Sequence, residues 1–577
     1  MKRVVIRVLA LLCILCLTGC GSEVPPTGPS QPSGSAPASD GSGEVLQHGY
    51  IAAAPDKVYE FPDARPVFSL DGGFYDCPVL VELKTQAPAE IYYTLDGSEP
   101  DRDGLLYDGD GIYLVQGEAS DFPEATVIKA RAYYPDGSCS QVAVRTYFIE
   151  ADVKARFTTA VFAIYGDPAE LTEGPDGIFY GDNCYQRGDD TEREVFIEAW
   201  DQEGNRLFSQ YSGLRIYGGA SRGNSIKSMK IYARKSYSSG IGKFHTDIFG
   251  TPVEDGSDNL VDEYDKLVLR NAGNDHQFGF IRDELCQTLA MQAGFTDYEA
   301  VVPAVVYLNG EYYGLFWLHE SYCDDYFKNK YPNEAAQGEF VVAEGNERWK
   351  NEDEDGGKEE QAIAYNEMYN TYAYADLTEE ETYQQLRQCI DVENYLRYCA
   401  FNVYINNNDW PQNNYKCYRY VPEAGEEFEG VYDGRWRYLL HDTDFSFHIY
   451  ESWEVAADYD NIGLMLDPDS NRYAPLLDAL MHRAECREYF MDYLTELSEG
   501  VLSRSNVVDT LYDLHVSRVN EQDYMYLHME NLRQAGDDSF WSHTGILAQN
   551  LDLIRNFAGL RDNYILDYAA KALEKYE

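Results

Sequence analysis

Residues 402–447 read NVYINNNDWPQNNYKCYRYVPEAGEEFEGVYDGRWRYLLHDTDFSF, and their order constrains the fold more than any other feature of the chain. The apolar spacing of LTEEETYQQLRQCIDVENYLRYCAFNVYI predicts a helix that ends near Ile405. Pro411 and the asparagines around it cannot continue that helix, because proline lacks the amide donor and asparagine favours turn backbone. YKCYRYV and RWRYLLH then alternate with the period of strands and are joined by an acidic, Gly-containing turn. Asp442-Thr443-Asp444 follows at once. Helix, polar loop, hairpin and Asp-x-Asp in this order bring the loop carboxylate and the Asp-x-Asp pair together. The plainer reading is a polar surface hairpin with capped turns.

Protein kinases build their metal site with the same layout: a catalytic-loop Asp, an Asn five residues later, a hairpin and then a metal-binding Asp. Phosphoryl transfer spreads negative charge over the moving group, and Mg²⁺ bridging the phosphates neutralises it. A protein holds Mg²⁺ with one or two carboxylates, an amide oxygen and waters. Asp442 or Asp444 together with Asn414 would suffice, which leaves Asp409 to orient or deprotonate the attacking hydroxyl. An Asp-x-Asp after a strand also occurs in glycosyltransferases, Ca²⁺ loops and simple turn caps.

At 577 residues the chain is long for one core, and roughly two to four units are expected. Its formal charge of -53 argues against nucleic acid and anionic lipid surfaces as partners and favours cations. Most of that charge is a solubilising surface. Residues 21–45 are Gly, Ser, Pro and Ala with almost no apolar anchors, the composition of a disordered tether. Over 46–150, short β-branched and aromatic runs with Asp-Gly turns at Asp96-Gly97 and Asp136-Gly137 predict an all-β sandwich. From 151 to 577 strands and helices mix, ending in amphipathic helices after about 470, so the expected class is α+β with an N-terminal β module. A strong hairpin is predicted at AVVPAVVYLNGEYYGLFWLHES, where Asn309-Gly310 supplies the turn, and a helix at FIRDELCQTLAMQAGF, where Gly294 is the stop.

The first 20 residues place Lys2, Arg3 and Arg7 ahead of a short apolar run and end in Leu17-Thr18-Gly19-Cys20. This resembles a bacterial lipoprotein signal, which implies cleavage before Cys20, a lipid on its thiol and an extracytoplasmic, membrane-anchored protein. A plain secretory leader is the alternative. Nine cysteines remain beyond this leader, with no CxxC pair, so a zinc cluster is unsupported; Cys77 and Cys139, flanking the β module, are the candidate disulfide.

Two family resemblances follow from quoted segments. IYYTLDGSEPD resembles the sandwich module at the end of chitobiase-type (β-hexosaminidase) enzymes, which implies a spacer or a face toward cell-wall or coat glycans. SIKSMKIYARK, LVLRNAGND followed by IRDEL, VVYLNGEYYGLFWLHES, NNNDWPQNNYKCYRY and WRYLLHDTDFSF resemble, in order and content, the bacterial spore-coat protein H (CotH) family. That resemblance implies an atypical protein-kinase-like core that uses ATP and Mg²⁺ to phosphorylate Ser on proteins. It matches Asp409 to the catalytic Asp, Asn414 to the Asn of the same loop and Asp442 to the metal-binding Asp, with Asp444 its rival. The chain departs from the family pattern at LLHDTD, where a Trp more often precedes the first Asp, which leaves open which Asp is the ligand.

Four upstream residues join the candidate cofactor site. Lys227 matches a family Lys that would face ATP phosphates, with Lys230 as the alternative. Arg270, at a strand-to-loop junction, either clamps phosphate or pairs with a carboxylate. Glu320, closing the hairpin strand, either pairs with the Lys or holds a second Mg²⁺. The Gly218-Gly219-Ala220-Ser221 turn offers backbone N–H groups to phosphate. The rival functions are a non-catalytic surface adhesin or coat-assembly scaffold, and a metal-dependent glycosyltransferase.

Overall fold

Asn309 and Gly310 take φ of 51° and 90°, the left-handed pair that a two-residue turn needs, and fold Val301–Leu308 back on Glu311–His319. This hairpin is the base of the fold seen in a computed structural model, which describes residues 63–577 except 118–119, 238–239, 346–349, 353–358, 424–427 and 538–545. The leader with Cys20 and the tether expected over 21–45 lie outside the described residues. Seven strands close into a barrel in the order Ala160–Tyr165, Arg193–Trp200, Arg206–Ile216, Met229–Tyr232, Lys266–Arg270, Glu311–His319 and Val301–Leu308. All neighbours are antiparallel except the closing pair, Ala160–Tyr165 on Val301–Leu308. Every residue of Ala160–Tyr165 is buried, which its unbroken apolar sequence AVFAIY permits.

Beyond the barrel, four strands form an antiparallel sheet in the order Lys350–Glu352, Glu339–Gly345, Tyr415–Val421 and Arg437–Leu439. The Val392–Ile405 helix starts at Asp391, whose side chain accepts from Asn394 N, and stops at Asn406 in left-handed backbone, φ 51°. Helices through 475–573 pack behind it, Ala484–Glu499 directly against Val392–Ile405. Among the described residues, no helix is long and apolar enough to cross a membrane.

The N-terminal module is a five-stranded sheet, Gly73–Tyr75, Ala143–Ile149, Ala125–Tyr133, Glu90–Thr94 and Leu105–Leu106, with two short ladders sharing its core of Leu70, Val81, Ile128 and Tyr147. Both expected Asp-Gly turns form, with Gly97 and Gly137 at φ 80° and 88°. Cys77 and Cys139 are separate thiols, contrary to the expected disulfide. Cys139 bridges back to Tyr133 within its own hairpin, while Cys77 leads into the ladder strand Val79–Val81.

The module is joined to the barrel. Phe148 of the module packs against Tyr307 and Trp200 of the barrel at ring-centroid distances of 5.0 and 6.1 Å. Thr146 N donates to the buried carboxylate of Glu198 at 2.8 Å, and Tyr307 Oη donates to the Pro123 carbonyl at 2.7 Å. Gly72 permits this approach, since a Cβ there would meet Glu198 at 2.9 Å and the Thr146 carbonyl at 2.8 Å.

Candidate active site

The turn out of the Val392–Ile405 helix sets the position of Asp409. Its last carbonyls, Val403 and Tyr404, lack the i+4 amides of a continuing helix and accept from the buried guanidinium of Arg561 at 2.9 and 3.0 Å. Arg472 holds the following loop through Asn408 Oδ1, the Asn407 carbonyl and the Trp410 carbonyl at 2.7–2.9 Å. The loop carboxylate is then fixed from both sides: Asn413 Nδ2 donates to Asp409 Oδ1 at 3.0 Å and Asn414 Nδ2 to Asp409 Oδ2 at 2.9 Å.

Asn414 also donates to the Asp442 carbonyl at 3.3 Å, which ties the loop to the Asp-x-Asp across the hairpin. Asn414 and Asp442 have φ of 58° and 50°. Asn and Asp tolerate this left-handed backbone better than other side chains, and such residues collect at functional sites. Thr443, between the two aspartates, donates through its N–H and hydroxyl to Asp283 Oδ1, both at 2.7 Å.

Arg270 joins these parts. Its Nη2 donates to Asp442 Oδ1 at 2.5 Å and to Asp444 Oδ2 at 3.0 Å, and its Nε lies 3.3 Å from Asp283 Oδ2. Burial opposes its charge, but Asp442, Asp283 and Asp444 together hold the guanidinium well above its ordinary pKa. The carboxylates diverge. Asp442 is raised by burial but lowered more by Arg270 and His441, and stays below the usual range. Burial and then the Asp442 charge push Asp444 well up. Asp444 is also enclosed, accepting from Asn274 N at 2.7 Å and Asn274 Nδ2 at 3.0 Å. Its side chain is 1% exposed, against 31% for Asp442, so Asp442 is the carboxylate that faces open space.

That space is a cavity of about 990 Å³. Of the residues singled out from the sequence, Asp409, Asn414, Asp442, Asp444, Arg270 and Lys230 line it, as does the Gly218–Ser221 turn. Lys230 lies on the Met229–Tyr232 strand, its ammonium 5.3 Å from the centre of the Tyr217 ring.

Lys227 and Glu320 lie elsewhere. The Lys227 ammonium donates to the Arg222 and Asn224 carbonyls at 2.9 and 2.8 Å and braces the Gly-rich turn. Glu320 is buried on another side, accepting from Thr251 Oγ1 at 2.9 Å and Ala300 N at 3.2 Å, and burial pushes it up to about 7. It stands one residue past a strand, where the side-chain alternation turns it away from the cavity.

The sequence reading missed Lys416, Glu344, Asn274 and Gly273. Lys416 and Glu344 are register partners on adjacent strands and pair at 3.2 Å on the cavity wall. The Lys416 charge holds Glu344 down at about 2. Lys416 stands two residues after Asn414, and both line the cavity. Gly273 had a signal only in retrospect: at φ 55°, a Cβ would overlap Asp444 Oδ2 and approach Arg270 Nη2 to 2.9 Å.

Residues 214–565, more than half of the chain, match the family model described as CotH kinase protein, and residues 81–147 match the one described as Fn3 associated. No curated protein matches the chain.

Proposed function

Because this chain belongs to the CotH kinase protein family, we propose that its cavity binds ATP with Mg²⁺ and transfers the γ-phosphate to a Ser or Thr hydroxyl of surface proteins. The observation that carries this reading is the convergence of Asp409, Asn414, Asp442, Asp444, Arg270 and Lys230, from widely separated parts of the sequence, on one cavity. The donor set fits a hard divalent cation: two carboxylates and an amide supply oxygen ligands. Asp442 and Asp444 bring like charges to one wall of the cavity, which a cation there would offset. Asp442 and Asn414 would hold the cation, which would supply positive charge against the ATP phosphates and the charge that develops during transfer.

Asp442, the more open carboxylate, and Asn414 are the main ligands in this reading, with Asp444 behind them. Asp409, held by two side-chain amides, orients the acceptor hydroxyl and takes its proton. Lys230 faces the phosphates as a point charge, and Arg270 sets the two aspartates at a fixed spacing. The Gly218–Ser221 turn closes over the phosphates.

The same reading places the protein outside the cytoplasm, held to a membrane through a lipid on Cys20 and the tether over 21–45. The β module contributes a face toward cell-wall or coat glycans. Purified protein given γ-labelled ATP, Mg²⁺ and surface-protein extract should place label on Ser or Thr, and Asp409→Asn should abolish it. Transfer from a nucleotide sugar instead, or no transfer from either donor, would replace this reading with the glycosyltransferase or the scaffold.

A further inference from the structure

The segment after Asp444 has an unusual backbone. Phe447, His448, Tyr450 and Glu451 have φ of 46°, 61°, 59° and 53°. Side chains with a Cβ avoid this left-handed region, and four within five residues persist only where surrounding contacts over-determine them. The winding delivers Tyr450 to the cavity wall. Its ring meets Phe278 and Phe445 edge-on at centroid distances of 4.9 and 5.5 Å. Its hydroxyl reaches the Asn274 carbonyl at 3.1 Å and Asn274 Oδ1 at 3.3 Å. Asn274 in turn donates through its N–H and its side-chain amide to the two oxygens of Asp444.

We infer that Tyr450 is a positioning residue for phosphoryl transfer, acting through Asn274 to lock the Asp444 carboxylate and, through their shared Arg270, the orientation of Asp442. The strained segment is thus wound so that one hydroxyl sets the Asp-x-Asp pair from the cavity side. Asp283 sets it from behind through Thr443. A ring without the hydroxyl would still fill the aromatic corner with Phe278 and Phe445 but would remove the contacts that hold Asn274 from the side opposite Asp444. The inference rests on the proposed kinase reading, and its test separates the two.

The full-length protein and its Tyr450→Phe, Asn274→Ala and double variants are compared by calorimetry with Mg²⁺ and the non-hydrolysable analogue AMP-PNP, by turnover, and by amide hydrogen exchange. Losing one hydrogen bond should weaken Mg²⁺-dependent AMP-PNP binding by about fivefold in Tyr450→Phe. The kcat should fall with it while the acceptor KM holds. The Asn274 amide should exchange faster at an unchanged melting temperature. Added to Asn274→Ala, Tyr450→Phe should cost less than it does alone, the remainder coming from the hydroxyl's 3.1 Å contact to the backbone carbonyl of residue 274, which that variant keeps. Unchanged affinity and exchange in Tyr450→Phe, losses that multiply in the double variant, or a rise in acceptor KM alone would overturn the positioning role while leaving the kinase reading intact. Wild-type protein that fails to bind Mg²⁺ and AMP-PNP overturns both.

Discussion

The seam between the β module and the barrel and the cavity around Arg270 are both places where distant segments meet, yet they are built in opposite ways. At the seam Phe74, Phe148, Phe157, Trp200 and Tyr307 interlock, and the buried Glu198 accepts the Thr146 amide. At the cavity wall and just behind it three aspartates crowd one guanidinium, and Asn414 and Asp442 are left-handed. The seam holds the fold by burying apolar surface. The cavity holds unfavourable charge and backbone in place, as expected where chemistry rather than stability sets the residues.

The largest effect that would break this contrast lies at the seam. Phe148→Ala should cost about 3–5 kcal/mol of stability, read from the urea midpoint, and module and barrel should unfold in one transition. Two transitions, or a cost below about 1 kcal/mol, would make the module an appended spacer. In the cavity, Gly273→Ala should cost at least about 1–2 kcal/mol for an alanine at left-handed φ, with the displacement of buried Asp444 added to it, and weaken Mg²⁺-dependent nucleotide binding at least about tenfold. Equal binding would show that Asp444 need not be held where it is.

The smallest expected effect is pH dependence, and it has opposite signs at the two places. Burial raises Glu198 above its unfolded value of 4.5, so the folded chain holds that proton more tightly than the unfolded one. Stability from this group is present below pH 4.5 and lost as pH rises through the folded pKa, so Glu198→Gln should flatten the decline. Glu344 is lowered from 4.5 to about 2, chiefly by Lys416, so its contribution is present above pH 4.5 and lost as pH falls toward 2. Glu344→Gln should make the acid side shallower, by a modest amount because this side chain is partly exposed and screened. Melting temperatures across pH 2–7 that show no opposed slopes in the two variants would remove the electrostatic half of the comparison.

What the sequence disclosed was local. The helix stop at Ile405, the Asn309-Gly310 hairpin, the paired strands Tyr415–Val421 and Arg437–Leu439, and the helix over Arg282–Gln292 before Gly294 all follow from turn chemistry and periodicity within a few residues. The loop and Asp-x-Asp were legible as a unit because one hairpin separates them. What it hid was long-range. Nothing near Ala160–Tyr165 shows that it pairs in parallel with a strand 140 residues on to close a barrel. Two lysines three residues apart, Lys227 and Lys230, look alike on paper, and only the barrel decides which one enters the cavity. Arg472, in the turn before the Pro475–Met481 helix, holds the Asp409 loop, and Arg561 holds the helix end that leads into it; neither carries a local mark of that task.

The most direct measurement is calorimetric titration of ATP, with and without Mg²⁺, into the wild-type protein and its Asp442→Asn and Asp409→Asn variants. A cavity that grips nucleotide through a metal at Asp442 and uses Asp409 only for the acceptor hydroxyl should bind ATP far more tightly with Mg²⁺. Asp442→Asn should lose that gain, and Asp409→Asn should keep it while transferring no phosphate. Binding indifferent to Mg²⁺, or an Asp442→Asn variant that binds as the wild type does, would contradict the assignment.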